Sequence, residues 1–142
     1  MKKIYFLLII IFLTAYGCGG NDKVKPSADS QTAQEVIRIT NAIKTAYEQK
    51  DIDALREYLF PEFADEIKKE LLFENAGLEF TTRMVRITDS SVMVTLNWQG
   101  TWEIKGKTQK NLGSSVFIYQ VMTMKLAAID GDNPFLIPVV RN

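Results

Sequence analysis

The chain has 142 residues, with 17 Lys and Arg against 17 Asp and Glu, no histidine and a single cysteine. That length holds one domain. The missing histidines remove the commonest general base and metal ligand near neutral pH, the lone cysteine excludes an internal disulfide and a Cys/His zinc site, and the zero formal charge leaves no electrostatic footprint for nucleic acid.

Lys2 and Lys3 precede an apolar run from Ile4 to Leu13, and Thr14, Ala15, Tyr16 and Gly17 lead into Cys18. A basic start, a short apolar middle and small residues before a cut make an export signal. The run is too short for a transmembrane helix, which takes about 20 apolar residues. Removing residues 1–17 leaves 15 basic and 17 acidic residues. Such a chain has no polybasic cluster to hold anionic lipid. Cys18 lacks the base a catalytic thiol needs. The stretch resembles the lipobox of bacterial lipoproteins, in which the cysteine after a small residue carries lipid and becomes the mature N-terminus. Ala15 and Gly17 also satisfy the small-x-small rule of plain secretion, a reading ranked below lipidation because it leaves Cys18 unexplained. Gly19 resembles the second residue of outer-membrane-directed members in hosts with two membranes. Residues 18–31 are polar, with Gly and Pro, and read as the lipidated cysteine and a disordered tether. The folded domain is expected at 32–142.

Thr32 to Glu35 match a capping box, and Val36, Ile39, Ile43, Ala46 and Tyr47 form one helical stripe ending near Lys50. Asp51 can cap a short helix with Ile52, Leu55 and Leu59 inward. Pro61 suits the first turn of a third, with Phe63, Ile67 and Leu71 inward, an Asp65–Lys69 surface pair and Gly77 as its stop. The period then falls to two. Phe80, Thr82 and Met84 alternate with Thr81, Arg83 and Val85, which puts Arg83 and Arg86 on opposite faces and forms no anion clamp. Thr88 to Ser91 is turn chemistry. Val92, Val94, Leu96 and Trp98 face one way in a second strand, Gly100 is a bulge or bend, and a turn falls near Gly106. Ser114 to Leu126 reads as strand with no residue that marks a turn. Residues 129–134 break the regular structure, and Phe135 to Ile137 pack the tail onto the core.

Helices followed by an antiparallel meander make an α+β domain. The segment NAIKTAYEQKDIDALREYLFPEF resembles the start of nuclear transport factor two-like domains, also called SnoaL-like or ketosteroid-isomerase-like. Tyr47, Asp51, Leu55, Leu59, Pro61 and Phe63 carry the match, and MKLAAIDGDNPF resembles the last strand and exit turn of bacterial members. The resemblance implies a curved sheet wrapped around a long helix like a cone, whose mouth is a pocket in some members and whose outer sheet face is a dimer surface in others.

No nucleotide loop or nucleophile elbow is present. Asp130 to Asn133 offer oxygen ligands but lack the glycine and distant glutamate of a calcium loop, so they read as a turn. Tyr47, Tyr58, Trp98 and Trp102 are candidate pocket-lining residues, with the tyrosines read first as core rings whose hydroxyls reach water. No catalytic residue is assigned, and no cofactor or metal is expected. The expected protein is a membrane-anchored envelope lipoprotein whose domain is a non-catalytic module for a second copy or an envelope protein. The alternative is a small apolar-ligand binder or weak acid/base enzyme working inside the cone.

Overall fold

A computed structural model describes residues 27–137. The signal, Cys18 and most of the expected tether lie outside the described residues. Three helices, α1 (Ala28–Glu48), α2 (Ile52–Tyr58) and α3 (Pro61–Lys69), precede four strands, β1 (Asn75–Ile87), β2 (Ser91–Ile104), β3 (Lys107–Gln120) and β4 (Leu126–Gly131). The strands form one antiparallel sheet in chain order. No helix among the described residues is long and apolar enough to cross a membrane.

The first helix begins a turn earlier than the Thr32 capping box predicts. Ser27 is its N-cap, accepting the Ser30 N–H at 3.2 Å, and Asp29 lies in the first turn, where the helix dipole favours a negative charge. Residues 28–31, assigned to the tether by composition, are therefore helical. Val36 is the first fully buried residue, so the opening turns carry no apolar stripe to reveal them. The predicted stripe is the buried one.

Lys50 ends α1 in the left-handed region at φ 57°. Its N–H donates to Tyr47 O at 3.0 Å, and the Asp51 N–H donates to Ala46 O at 2.8 Å, the pattern of a Schellman cap. A lysine stands where glycine is usual, and two contacts offset the strain: its Nζ donates to Phe73 O and lies 4.8 Å from the Phe73 ring centroid. Asp51 caps α2 as expected, accepting the Ala54 N–H at 3.0 Å.

Pro61 opens α3, but the helix stops at Lys69, and Gly77 lies inside β1. The inward position of Leu71 and the Gly77 stop predict a longer helix. Instead Phe73 turns inward against Tyr47, with ring centroids 5.0 Å apart, which draws the chain off the helical path. Leu71 lies beyond the helix, half-buried, and Ala64 and Ile67 are the residues α3 buries. Asp65 pairs with Arg56 of α2 at 3.2 Å in place of the expected Lys69.

In β1 the register skips between Thr82 and Met84. This bulge puts Val85 and Ile87 opposite the core residues Val94 and Val92, and sends Met84 to the outer face opposite Thr95. Alternation by two therefore fails for Met84 and Val85. The core row of β2 is as predicted and extends to Trp102. Gly100 is not a bulge, because its register with Leu78 and Asn111 is continuous. A Cβ there would lie 2.2 Å from a Trp102 ring carbon and 2.8 Å from Leu78 Cδ2, so the glycine makes room for the indole.

Lys105 and Gly106, both at positive φ (52° and 70°), turn β2 into β3, as a two-residue hairpin of this twist requires. The turn with no sequence signal falls at residues 121–125. Met124 takes the left-handed conformation at φ 52° where Gly or Asn is usual, and its N–H donates to Gln120 O at 2.8 Å.

Candidate functional site

The helices and the tail close over the concave side of the sheet. Phe135, reached through the turn after β4, is fully buried. Its ring lies 5.1 Å from Tyr47, 5.8 Å from Phe117 and 6.3 Å from Phe80. Asp132 and Asn133 fix that turn: Asp132 Oδ2 accepts the Ser114 N–H at 3.2 Å, and Asn133 Oδ1 accepts the Phe135 N–H at 2.9 Å. Oxygens that composition offers to a cation are thus spent on backbone amides. No cluster of three or more metal-ligating side chains occurs among the described residues.

Three of the four candidate pocket residues come together. Trp102 donates its Nε1–H to the Tyr47 hydroxyl at 2.9 Å, and its ring meets Trp98 edge-on at 6.4 Å. Trp98 donates to Asp132 O at 2.9 Å. All three are buried, Tyr47 and Trp102 completely. The expectation that the Tyr47 hydroxyl reaches water fails: it is enclosed and serves as the acceptor for an indole that would otherwise be orphaned. Tyr58, half-buried, lies apart from them. It lines a groove between α1 and α2 with Asn41, Thr45 and Glu57.

Sequence reasoning missed Tyr119. Its hydroxyl donates to Thr40 Oγ1 at 2.7 Å, and Thr40 donates in turn to Val36 O at 2.7 Å. Position 119 falls on the core face of β3, and a tyrosine there signals a buried hydroxyl in need of a partner. Burial pushes the Tyr47 hydroxyl up to about 12, against a lesser downward pull from the Trp102 hydrogen bond. Burial also raises Tyr119.

Both folded values lie above the unfolded one. Below about pH 10 both tyrosines are neutral in either state and stability is at its full value. Above that pH the unfolded chain loses protons that the folded one keeps, so stability falls. Each tyrosine contributes a slope of roughly 1.4 kcal/mol per pH unit, and the loss from Tyr47 extends to about pH 12. Urea midpoints at pH 9, 10 and 11 should therefore decline. The double variant Tyr47→Phe/Tyr119→Phe should decline less steeply from its own pH 9 value.

The other surface of interest is the outer face of the sheet. A trough of about 680 Å³ crosses it, lined by Gly77, Glu79, Gln99, Thr101, Lys110 and Leu112. Gln99 donates to the Glu79 carboxylate, and Ser114 to Asn97 Oδ1 at 2.8 Å. Toward the opposite end the face turns apolar, with Met84, Met93, Thr95, Val116 and Ile118. Along β1 the outer row runs from Glu79 through Thr81 and Met84 to Arg86.

No protein-family model matches the chain, and no curated relative matches it. Among solved structures it is similar to an NTF2-like superfamily protein from Salmonella enterica serovar Typhimurium LT2. That likeness has a TM-score of 0.64 at 12% identity and covers 81% of this chain and 99% of the other. An NTF-2-like protein from Shewanella oneidensis MR-1 is 14% identical with a TM-score of 0.47, covering 68% and 93%. An LEH-like epoxide hydrolase from M. tuberculosis is also 14% identical with a TM-score of 0.47, covering 70% and 84%. Helices packed on a four-stranded antiparallel sheet, matched over most of the chain by the Salmonella structure, give this protein the NTF2-like α+β fold.

Proposed function

We propose that the protein is an exported lipoprotein, held by lipid on Cys18 at the cell envelope, whose domain is a non-catalytic module that pairs with a second copy through the outer face of its sheet. In a host with two membranes the outer one is its place. The observation that carries the reading is Phe135. It fills the concave interior where a ligand or substrate would sit, packed on Tyr47, Phe80 and Phe117. The fold itself hosts binders and enzymes alike and does not choose between them.

The outer face supplies the complementary argument. Glu79 and Arg86 stand in one row of β1, on either side of Thr81 and Met84. A twofold axis running across the strands sets Arg86 of each copy against Glu79 of the other, with Met84 and Thr81 between. Such an interface is isologous and self-closing.

Native mass spectrometry of the detergent-extracted protein reads both parts at once. The chain from Cys18 should carry the added mass of acyl groups and should fly as a dimer. Arg86→Glu should shift it to monomer, and adding Glu79→Arg should restore the dimer. An unmodified thiol at Cys18 would contradict the anchor. A monomer in the parent would contradict the pairing.

A further inference from the structure

The outer face of the sheet is built of rungs that cross the strands. One rung is Glu79, Gln99 and Leu112, and another is Arg86, Met93 and Ile118. The first is polar except for Leu112, which is 76% exposed. The second presents two apolar side chains, Met93 and Ile118, both half-buried. The trough of about 680 Å³ lies at the Leu112 end, and Gly77 is part of its lining. A Cβ added at Gly77 would meet nothing within 4 Å, so the trough is open there.

The twofold that sets Arg86 on Glu79 fixes what every other rung meets. Its axis runs across the strands. Each strand therefore lies over its counterpart in the other copy, and the rungs exchange about a centre between Thr81 and Met84. The Glu79 rung meets the Arg86 rung, which brings Leu112 over Ile118, beside Met93. The next rung outward is Gly77, Thr101 and Lys110. It meets Thr88, Ser91 and Gln120, and so receives the β1–β2 turn, closed by the Thr88 N–H on Ser91 O at 2.9 Å. No like charges meet in either exchange.

We infer, on the strength of the pairing proposed above, that the trough is a socket for the second copy: Leu112 of each chain seats on Met93 and Ile118 of the other, and the Thr88–Ser91 turn of that other chain enters the trough over Gly77. A small ligand needs a site that encloses most of its surface, whereas Glu79, Gln99, Thr101 and Lys110 around the trough are all exposed. A second copy covers them with a surface of matching length. The two kinds of contact do different things. Glu79 with Arg86 fixes the alignment, and Leu112 with Ile118 supplies apolar area removed from water. The twofold repeats each contact, so every substitution acts twice.

The chain from residue 18, with Cys18→Ser, is tested by analytical ultracentrifugation. Leu112→Asp should weaken self-association by on the order of ten-fold or more, because it sets a charge against an apolar surface. Gly77→Tyr should also weaken it, by filling the socket. The lone chain has room for that ring and no left-handed backbone at Gly77, so its circular dichroism should match the parent. Leu112 and Ile118 stand about 20 Å apart within one chain, six residues along β3 at about 3.3 Å each, too far to couple there. Across the pair they should couple. The dissociation constant of Leu112→Ala/Ile118→Ala should rise by less than the product of the two single effects. Chains with Leu112→Cys, mixed with chains with Ile118→Cys, should be joined by bismaleimidoethane, and neither should be joined to its own kind. Undiminished association of Leu112→Asp or Gly77→Tyr would overturn the inference and leave the pairing in place. So would independent effects in the double variant, or cross-links confined to like chains. A parent that sediments as a monomer would overturn both.

Discussion

Tyr47→Ala is expected to destabilise the domain by about 3–5 kcal/mol, the range for truncating a buried aromatic ring. The ring is wholly enclosed, against Phe73 at 5.0 Å and Phe135 at 5.1 Å. Its removal also leaves the Trp102 indole N–H without its acceptor, so the upper part of that range is expected. Tyr47→Phe isolates the second effect. Were the hydroxyl in water, as composition suggests, the change would cost less than about 1 kcal/mol, a typical net hydrogen bond. With Trp102 left unpaired and buried, about 1–3 kcal/mol is expected. Urea denaturation of both variants checks this. Trp102→Phe made in the Tyr47→Phe background should cost less than the same change in the parent, since the bond it breaks is already gone. Additive effects would mean that the bond contributes nothing.

Phe135→Ala should cost about 3–5 kcal/mol as well, and it should do something Tyr47→Ala does not do cleanly. It removes an apolar plug without orphaning any polar atom, so the space left behind is lined by Phe80, Phe117 and Tyr47. Apolar cavities of this kind stay dry and take up benzene-sized molecules. The variant's melting temperature should therefore rise with added benzene. A Phe135→Ala protein as stable as the parent would mean that the tail is not part of the core.

The core was legible in the sequence because periodicity alone encodes it. The stripe of α1 and the alternating row from Val92 to Trp98 are apolar at one fixed spacing, and nothing else in the chain competes for those positions. Three features were not legible, each for a local reason. The opening turns of α1 bury no side chain fully, so only the Ser27 cap and Asp29 in the first turn mark them. The bulge after Thr82 changes the face of every later β1 residue, and a bulge needs no particular residue there. The last hairpin turns on Met124 at φ 52°, a conformation a methionine adopts only when its surroundings demand it. At the site, the grouping of Tyr47, Trp98 and Trp102 follows from their faces. The sequence does not say whether the space between them is open, because Phe135 that fills it arrives from the far end of the chain.

Whether that interior is filled in the protein as it exists separates a packed module from an open pocket. The direct measurement is the indole N–H resonance of Trp102 in the parent chain, followed by NMR while benzene is added. The packed interior predicts a resonance that does not move and a proton that exchanges with water only as fast as the domain unfolds. A saturable shift at Trp102, or rapid exchange under native conditions, would show an open pocket and would contradict it.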